Sequence, residues 1–445
     1  MSGDTIRILQ TKADKQLVFI LYSRTNMLKM KKRTKLPLVW LTRTIKFGIV
    51  HIKYFCPCQA GKEMIDQITT VDELRTIAKR RVPTMFYDYM ESGSWTETTF
   101  RANCEDFSKI SFRQRVAVDM ANRTTKTTMI GQDVTMPCAI APTGLTGMQH
   151  ADGEILAARA AAKFGIPYTL STMSVCSIED VATHSPESFW FQLYVMKDHD
   201  FAKRLIQRAK AAGCSALMLT LDLQILGQRH KDIKNGLSTP PKLTVKNILD
   251  MAMRPRWCMG MLRTSRRSFG NIVGHVDGVS DMSKLSSWVG EQFDLQLNWD
   301  DVKRIKDLWG DKLIIKGILD ADDAEMAAKS GADALIVSNH GGRQLDGAES
   351  SIAILPEIVD RVGQDIEIWM DGGIRSGQDM LKAIALGAKA TCIGRAFLYG
   401  LGAGGEAGVT KALEILHKEL DMTMALCGHR DIRNVGRAIL KNCPF

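Results

Sequence analysis

The sequence has no run of about 20 mostly apolar residues, the length a helix needs to cross a bilayer. Leu17–Leu21 and Leu36–Leu41 are apolar but short, and Arg43 and Lys46 separate the second from Phe47–Tyr54. A polytopic membrane protein is excluded. Cys-x-x-Cys-His is absent and His51 is the only histidine before His150, which excludes an N-terminal haem domain with two axial histidines. No Gly-x-Gly-x-x-Gly follows an early strand, so a Rossmann nicotinamide site is disfavoured. The ten cysteines have no regular spacing, and only Cys56 and Cys58 are close, a poor metal signature. No metal site is expected, and a reducing compartment suits the chain better than a secreted one. Proline is sparse, 12 residues against 36 glycines, which points to tight turns and close backbone approaches.

Charge is distributed unevenly along the 445 residues, whose net charge is +10. Residues 1–63 hold thirteen basic and three acidic side chains, and the rest holds 46 of each sign. The body is therefore not a binder of nucleic acid by net charge. Segment 1–63 reads either as a mis-set start, with Met64 opening a sequence of ordinary balance, or as a targeting or membrane-anchoring extension. Residues 64–437 read as one domain and 438–445 as a tail.

From Cys138 a rhythm begins. Apolar runs at Cys138–Gly144, Pro167–Thr172, Phe189–Val195, Ala216–Asp222, Lys312–Gly317, Ala334–His340, Glu367–Gly373 and Lys389–Arg395 alternate with amphipathic stretches such as Asp152–Phe164, Asp200–Ala212, Asn298–Trp309 and Ala321–Ser330. Nearly continuous apolar strands separated by helices mean buried parallel strands. Eight units predict an α/β fold, a (β/α)8 TIM barrel at about 130–430, after an N-terminal helical segment. An open doubly wound sheet is the alternative. The glycine-rich run Gly400–Gly405 reads as a loop before a helix at Ala407–Leu420. An insertion at 236–286, after strand 4, mixes apolar residues and Trp257 with eight basic side chains against three acidic ones. That composition suits a membrane surface; a lid or plain surface insertion is the other reading.

Barrel sites lie at the C-terminal ends of the strands. Here those ends read Pro142-Thr143-Gly144, Ser171-Thr172, Gln192-Leu193-Tyr194, Thr220-Leu221-Asp222, Lys316-Gly317, Ser338 to Arg343, Asp371-Gly372-Gly373 and Gly394-Arg395. The last two clusters, with Arg375, combine glycine backbone and arginine, a phosphate cradle in physical terms. His340 at a strand end is a candidate general base. Asp222 could orient its ring, and Arg343 and Arg229 could bind an anionic substrate, a carboxylate being the natural one.

At these residues the sequence resembles the FMN-dependent α-hydroxy-acid oxidase and dehydrogenase family. The resemblance rests on Ser338-Asn-His-Gly-Gly-Arg-Gln-Leu-Asp346, Phe191-Gln-Leu-Tyr194, Ile315-Lys-Gly-Ile318 and Asp371-Gly-Gly-Ile-Arg375, and it extends over about 65–437. Within the family, Ala141 to Met148, Thr169 to Thr172 and Ile393 to Leu398 are most similar to the membrane-associated bacterial L-lactate dehydrogenases. The resemblance implies FMN as cofactor and oxidation of an (S)-2-hydroxy acid, L-lactate to pyruvate first, with quinone or a cytochrome as electron acceptor. The alternatives are a mandelate or other 2-hydroxy-acid enzyme using oxygen, or an inactive membrane-associated flavoprotein.

The resemblance also implies roles residue by residue. His340 is the base, Asp222 its partner, and Tyr194 and Lys316 act beside them. Tyr89, Arg229, Arg343 and Tyr194 bind substrate. Pro142, Thr143, Gly144, Ser171, Gln192, Thr220, Lys316 and Ser338 surround the flavin ring. Asp371, Gly373, Arg375, Gly394 and Arg395 hold ribityl and phosphate. Whether the α-carbon gives up a proton or a hydride stays open. The insertion is expected to face the membrane, placing a homo-oligomer peripherally on the cytoplasmic face of the inner membrane. Three departures stand out. Gly144 replaces an alanine frequent in oxidases, which favours a dehydrogenase. Met173 replaces a tryptophan, which disfavours glycolate. Leu223–Gln228 lacks the proline common after the aspartate.

Overall fold

The computed structural model describes residues 5–10, 17–22, 65–237, 244–275 and 292–445. Two units are distinguished, Met1–Pro57 and Cys58–Phe445. In the first, Thr5–Gln10 and Leu17–Tyr22 pair as antiparallel strands. The rest of segment 1–63, and parts of the 236–286 insertion, lie outside the described residues.

The second unit is built on eight parallel strands: β1 (Cys138–Ile140), β2 (Thr169–Ser171), β3 (Trp190–Leu193), β4 (Ala216–Thr220), β5 (Leu313–Ile318), β6 (Ala334–Val337), β7 (Glu367–Met370) and β8 (Ala390–Ile393). Each strand from β2 to β8 hydrogen-bonds its neighbour in sequence, and β8 pairs with β1. A parallel bridge between Ile140 and Tyr168 closes the circle. Seven strands fall inside an apolar run expected from the sequence, and β5 runs one residue past its own, to Ile318. The fold is a (β/α)8 barrel rather than an open sheet.

Alternation along each strand builds the barrel and its rim together. Ala139, Trp190, Ala216, Met218, Ile314, Ala334, Ile336, Trp369, Ala390 and Cys392 form an inner cluster, whereas their strand neighbours join the outer core. Trp190 and Trp369 stack inside it with centroids 5.3 Å apart. Two residues beyond these inner positions come Gln192, Thr220, Lys316, Ser338 and Asp371. The period that fills the barrel with apolar side chains thus crowns it with polar ones.

Among the described residues three helices precede the barrel: α1 (Val71–Arg81), α2 (Thr84–Met90) and α3 (Thr98–Ser108). Thr70 starts α1 with a capping box to Glu73. After β1 comes α4 (Gly153–Phe164). The insertion contributes α5 (Val245–Ala252) and α6 (Pro255–Arg263), the latter with proline at its first position.

The last helix, α7 (Arg395–Leu426), corrects one expectation. Gly400–Gly405 is not a loop: only Gly404 and Gly405 leave helical geometry. The chain doubles back there, and a Cβ on Gly408 would lie 1.9 Å from the Gly400 carbonyl oxygen. The glycines let two helical segments touch at their backbones.

Candidate active site

The loops at the C-terminal ends of the strands enclose a cavity of about 290 Å³. Its lining includes Tyr89, Pro142, Thr143, Gly144, Tyr194, Arg229, Lys316, His340, Arg343, Asp371, Gly373, Arg375, Gly394 and Arg395. Residues from the two ends of the domain, such as Tyr89 and Arg395, meet there.

His340 Nδ1 lies 2.9 Å from Asp222 Oδ1. Its backbone N–H donates to Ser338 Oγ at 3.1 Å. Burial pushes the imidazole pKa below its ordinary 6.5, against the pull of Asp222, and the charges of Lys316 and Arg343 push the same way. Burial works to raise Asp222, but His340 and Lys316 outweigh it and the carboxyl stays below its ordinary range. The pair is thus a neutral imidazole held by a carboxylate, the state in which a base accepts a proton. Asp222 Oδ2 is buried with no hydrogen-bond partner among the described residues.

Lys316 is buried between Asp371, 3.0 Å from its Nζ, and Ser338 Oγ, 2.8 Å away. Ser338 donates onward to Asp371 at 2.6 Å. Burial disfavours the ammonium, but Asp371 and Asp222 prevail and the Lys316 pKa rises. A fixed cation therefore sits at the centre of the rim. A second chain runs from Ser171 Oγ to Gln192 Oε1 at 3.2 Å, and from Gln192 Nε2 to Thr220 Oγ1 at 3.0 Å. These three residues and Ser338 are buried just beneath the cavity lining rather than on it.

Arg343 Nη1 donates to the carbonyls of Tyr89 and Ser92 at 2.5 and 3.0 Å. Its guanidinium lies 4.7 Å from the Tyr89 ring centroid, and that of Arg229 lies 5.8 Å from it. Arg229 pairs with Asp232 at 3.6 Å. Two arginines against one buried carboxylate leave positive charge facing the cavity. The sequence reading missed Asp232, although its place three residues after Arg229 on one helical turn was a visible signal. It also missed Gln344, whose Nε2 donates to the Asp222 and Ile225 carbonyls at 2.7 Å each and so fixes the loop that lacks proline.

At the other end stand Arg375 and Arg395. Neither forms an ion pair among the described residues. Burial and the nearby Arg375 both lower the Arg395 pKa. Arg395 spends three donors on the carbonyls of Met90, Gly341 and Ser92, which leaves two N–H bonds for a ligand. Gly372 and Gly373 adopt φ of 97° and 80° beside them. A Cβ on Gly373 would strike the Asn103 carbonyl at 1.7 Å, so only glycine closes this loop. Two buried guanidinium groups without a direct ion pair among the described residues, next to glycine backbone, fit a phosphate group. With Lys316 for the electron-rich edge of a flavin, the residues present fit FMN.

Glu154 escaped the sequence reading altogether. It is fully buried at the start of α4, and its Oε1 accepts from Gly147 N at 3.0 Å and Val175 N at 2.8 Å. It thereby joins the loops after β1 and β2, which carry Gly144 and Met173. Burial raises its pKa.

A barrel that gathers a histidine–carboxylate pair, two cavity-lining arginines and glycine–arginine loops on one rim fits a flavin-dependent oxidoreductase of small acids. The sequence model of the FMN-dependent dehydrogenase family matches residues 78–442, and the chain belongs to that family. It is an FMN-dependent α-hydroxy-acid dehydrogenase, and its cofactor is FMN. It is 42% identical over 375 residues to an L-lactate dehydrogenase of Caulobacter vibrioides, covering 84% of this chain and 97% of the relative. Identity to an L-lactate dehydrogenase of Actinobacillus pleuropneumoniae is also 42%, over 374 residues, covering 84% of this chain and 98% of the relative. Among solved structures, a monotopic membrane protein, (S)-mandelate dehydrogenase, matches with a TM-score of 0.80 and 37% identity, covering 84% of this chain and all of the other.

Proposed function

We propose that the chain oxidises L-lactate to pyruvate and passes the electrons to quinone or a cytochrome. The observation that carries this reading is the His340–Asp222 pair at 2.9 Å, in one cavity with Arg229 and Arg343. The naming of relatives 42% identical over most of the chain as L-lactate dehydrogenases supports the substrate.

In this reading the substrate carboxylate sits against Arg343 and Arg229, with Tyr89 beside them. The hydroxyl side faces Tyr194 and His340. His340 takes the substrate proton, and Asp222 stabilises the resulting imidazolium. FMN, when bound, would supply the acceptor for the electron pair. Lys316 supplies positive charge at the flavin edge, and Asp371, Gly373, Arg375, Gly394 and Arg395 hold ribityl and phosphate. Pro142, Thr143 and Gly144 line one side of the ring, above the buried Ser171, Gln192, Thr220 and Ser338.

The rim also suits a membrane surface. Helices α5 and α6 expose Val245, Ile248, Leu249, Met259 and Leu262, with Lys246, Arg256 and Arg263 among them, and Met253 between the helices is exposed as well. No helix among the described residues is long and apolar enough to cross a membrane. We read this as peripheral attachment through the insertion, at the cytoplasmic face of the inner membrane, by a homo-oligomer. A likeness to a monotopic protein supports it.

A second reading, a mandelate or other bulky 2-hydroxy-acid dehydrogenase, draws on the cavity walls. Leu223, Leu226, Leu237, Phe269 and Phe293 make the lining apolar beside the arginines. An anaerobic panel of 2-hydroxy acids, read by flavin bleaching, decides between them. Fast bleaching by L-lactate supports the first reading, and bleaching by aryl substrates alone supports the second. No bleaching by any of them overturns both and leaves the inactive flavoprotein.

A further inference from the structure

The loop that carries His340 has a demanding shape. Residues 340–342 all occupy the left-handed region, with φ of 57°, 64° and 72°. Glycine adopts it without steric conflict, but histidine does not, so the loop must be held from outside. Asn339 holds it. Its Oδ1 accepts from Gly342 N at 3.0 Å, and its Nδ2 donates to the Glu349 carbonyl at 3.0 Å.

The other half of the Asn339 carboxamide is spent on Asn103. The two side chains bond reciprocally, each Nδ2 donating to the other's Oδ1 at 2.8 Å, and both are buried. Asn103 belongs to α3, outside the barrel. The same residue closes on the phosphate side. Its carbonyl oxygen is what a Cβ on Gly373 would strike, and its Oδ1 is 3.3 Å from where a Cβ on Gly372 would stand. One residue therefore touches both the base loop and the glycine loop of the cradle.

We propose that Asn103 is a positioning residue that orients His340 through Asn339 and sets it in register with the phosphate cradle of FMN. This rests on the reading of His340 as the base and of the Asp371–Arg375 loop as part of the cradle. A carboxamide pair is neutral and directional, so exchanging one donor for an acceptor breaks it without changing its size. In Asn103→Asp a carboxylate oxygen replaces the donor that faced Asn339 Oδ1.

The test uses full-length holoenzyme and the 2-hydroxy acid that bleaches it fastest. Wild type is compared with Asn103→Asp, Asn103→Ala, Asn339→Ala, the double alanine variant and His340→Gln. Stopped flow gives the flavin reduction rate constant and the substrate Kd, and the fluorescence of released flavin after dilution gives the FMN off-rate. Loss of register is expected to slow reduction by about ten- to a hundredfold in the Asn103 variants. Substrate Kd should stay within about threefold, because the clamp arginines are untouched, and FMN release should quicken by about tenfold. The double alanine variant should reduce no more than about threefold slower than Asn339→Ala, as partners in one pair do. If Asn103→Ala does not fold, the same-sized Asn103→Asp carries the comparison.

Reduction at the wild-type rate in Asn103→Asp, or a double variant slowed by the product of the single effects, overturns the inference. Weakened substrate binding in step with slowed reduction also overturns it, since that marks general damage to the site. His340→Gln separates the two levels. Fast reduction there defeats the base reading itself, whereas slow reduction there with normal Asn103 variants defeats only this inference.

Discussion

His340 and Asp222 are bonded at 2.9 Å although the histidine carries a left-handed backbone, φ 57°, that its side chain disfavours. The conformation costs roughly 1–2 kcal/mol for a residue other than glycine. What it achieves is direction: it turns the imidazole from the β6 end toward the β4 end, where Nδ1 meets Asp222. Replacing His340 by Gln is expected to leave FMN bound and to slow flavin reduction by ~10²–10⁴-fold. Anaerobic bleaching within tenfold of wild type would remove His340 from the mechanism.

The same pair fixes a pH dependence. In the proposed reading His340 is the base and works as neutral imidazole, so kcat/KM is high above its pKa and falls as pH drops through it. Burial and the charges of Lys316 and Arg343 place that pKa below 6.5. The acid limb is therefore expected below pH 6.5. Asp222→Asn removes the carboxylate that raises the pKa, so the limb should move lower still while the rate falls. An acid limb above pH 6.5 in the wild type contradicts this assignment.

Arg343 makes the anion clamp testable. In the proposed reading Arg343→Met removes a charge-assisted bond to the substrate carboxylate, worth about 1.5–3 kcal/mol. A rise in KM of roughly ten- to a hundredfold and a lower kcat are expected. Unchanged steady-state kinetics would show that the carboxylate binds elsewhere.

Glu154 separates hydrogen bonding from charge. Glu154→Ala leaves the buried N–H groups of Gly147 and Val175 without an acceptor, at about 1–3 kcal/mol each. Glu154→Gln keeps the accepting oxygen and should cost little. Because the folded pKa is raised, the acid stabilises the fold at low pH, and that stability is lost as pH rises from 4.5 through the folded pKa. Urea melts should therefore show Glu154→Gln gaining on wild type as pH increases. An alanine variant as stable as the glutamine one defeats the bridging role.

Much of this was legible in the sequence because it is periodic or local. Apolar runs gave the eight strands, and strand ends gave His340, Asp222, Lys316 and the two arginine clusters. The helix Arg395–Leu426 was misread because glycine marks both loops and close helix contacts, and only the Gly400–Gly408 approach distinguishes them. Asn103 and Glu154 were invisible for another reason. Each sits in an ordinary helical stretch, and its partners lie on other elements, 236 positions away for Asn103. Pairwise contact at that range leaves no pattern in one sequence.

The insertion gives the last prediction. Its described residues are tied to the barrel rim: Trp257 Nε1 donates to the Met148 carbonyl at 2.8 Å, and Arg266, just after α6, pairs with Asp152 and Asp180 at 3.0 and 2.8 Å. Val245 and Leu262 nevertheless stay 74% exposed, which burial in the barrel would not leave. Anionic lipid could accept both the apolar face and the basic residues, each near the surface contributing about 1 kcal/mol, screened by salt. A chain starting at Met64, which removes the basic extension, should still pellet with anionic vesicles at low salt and come off at high salt. Trp257 should stay packed on Phe86, where the rings stack at 5.6 Å, so its fluorescence should change little on binding. Leu262→Glu with Val245→Glu should abolish pelleting while the substrate still bleaches the flavin. Failure of the unmutated chain to pellet assigns these helices to a protein partner or to the wall of the site instead.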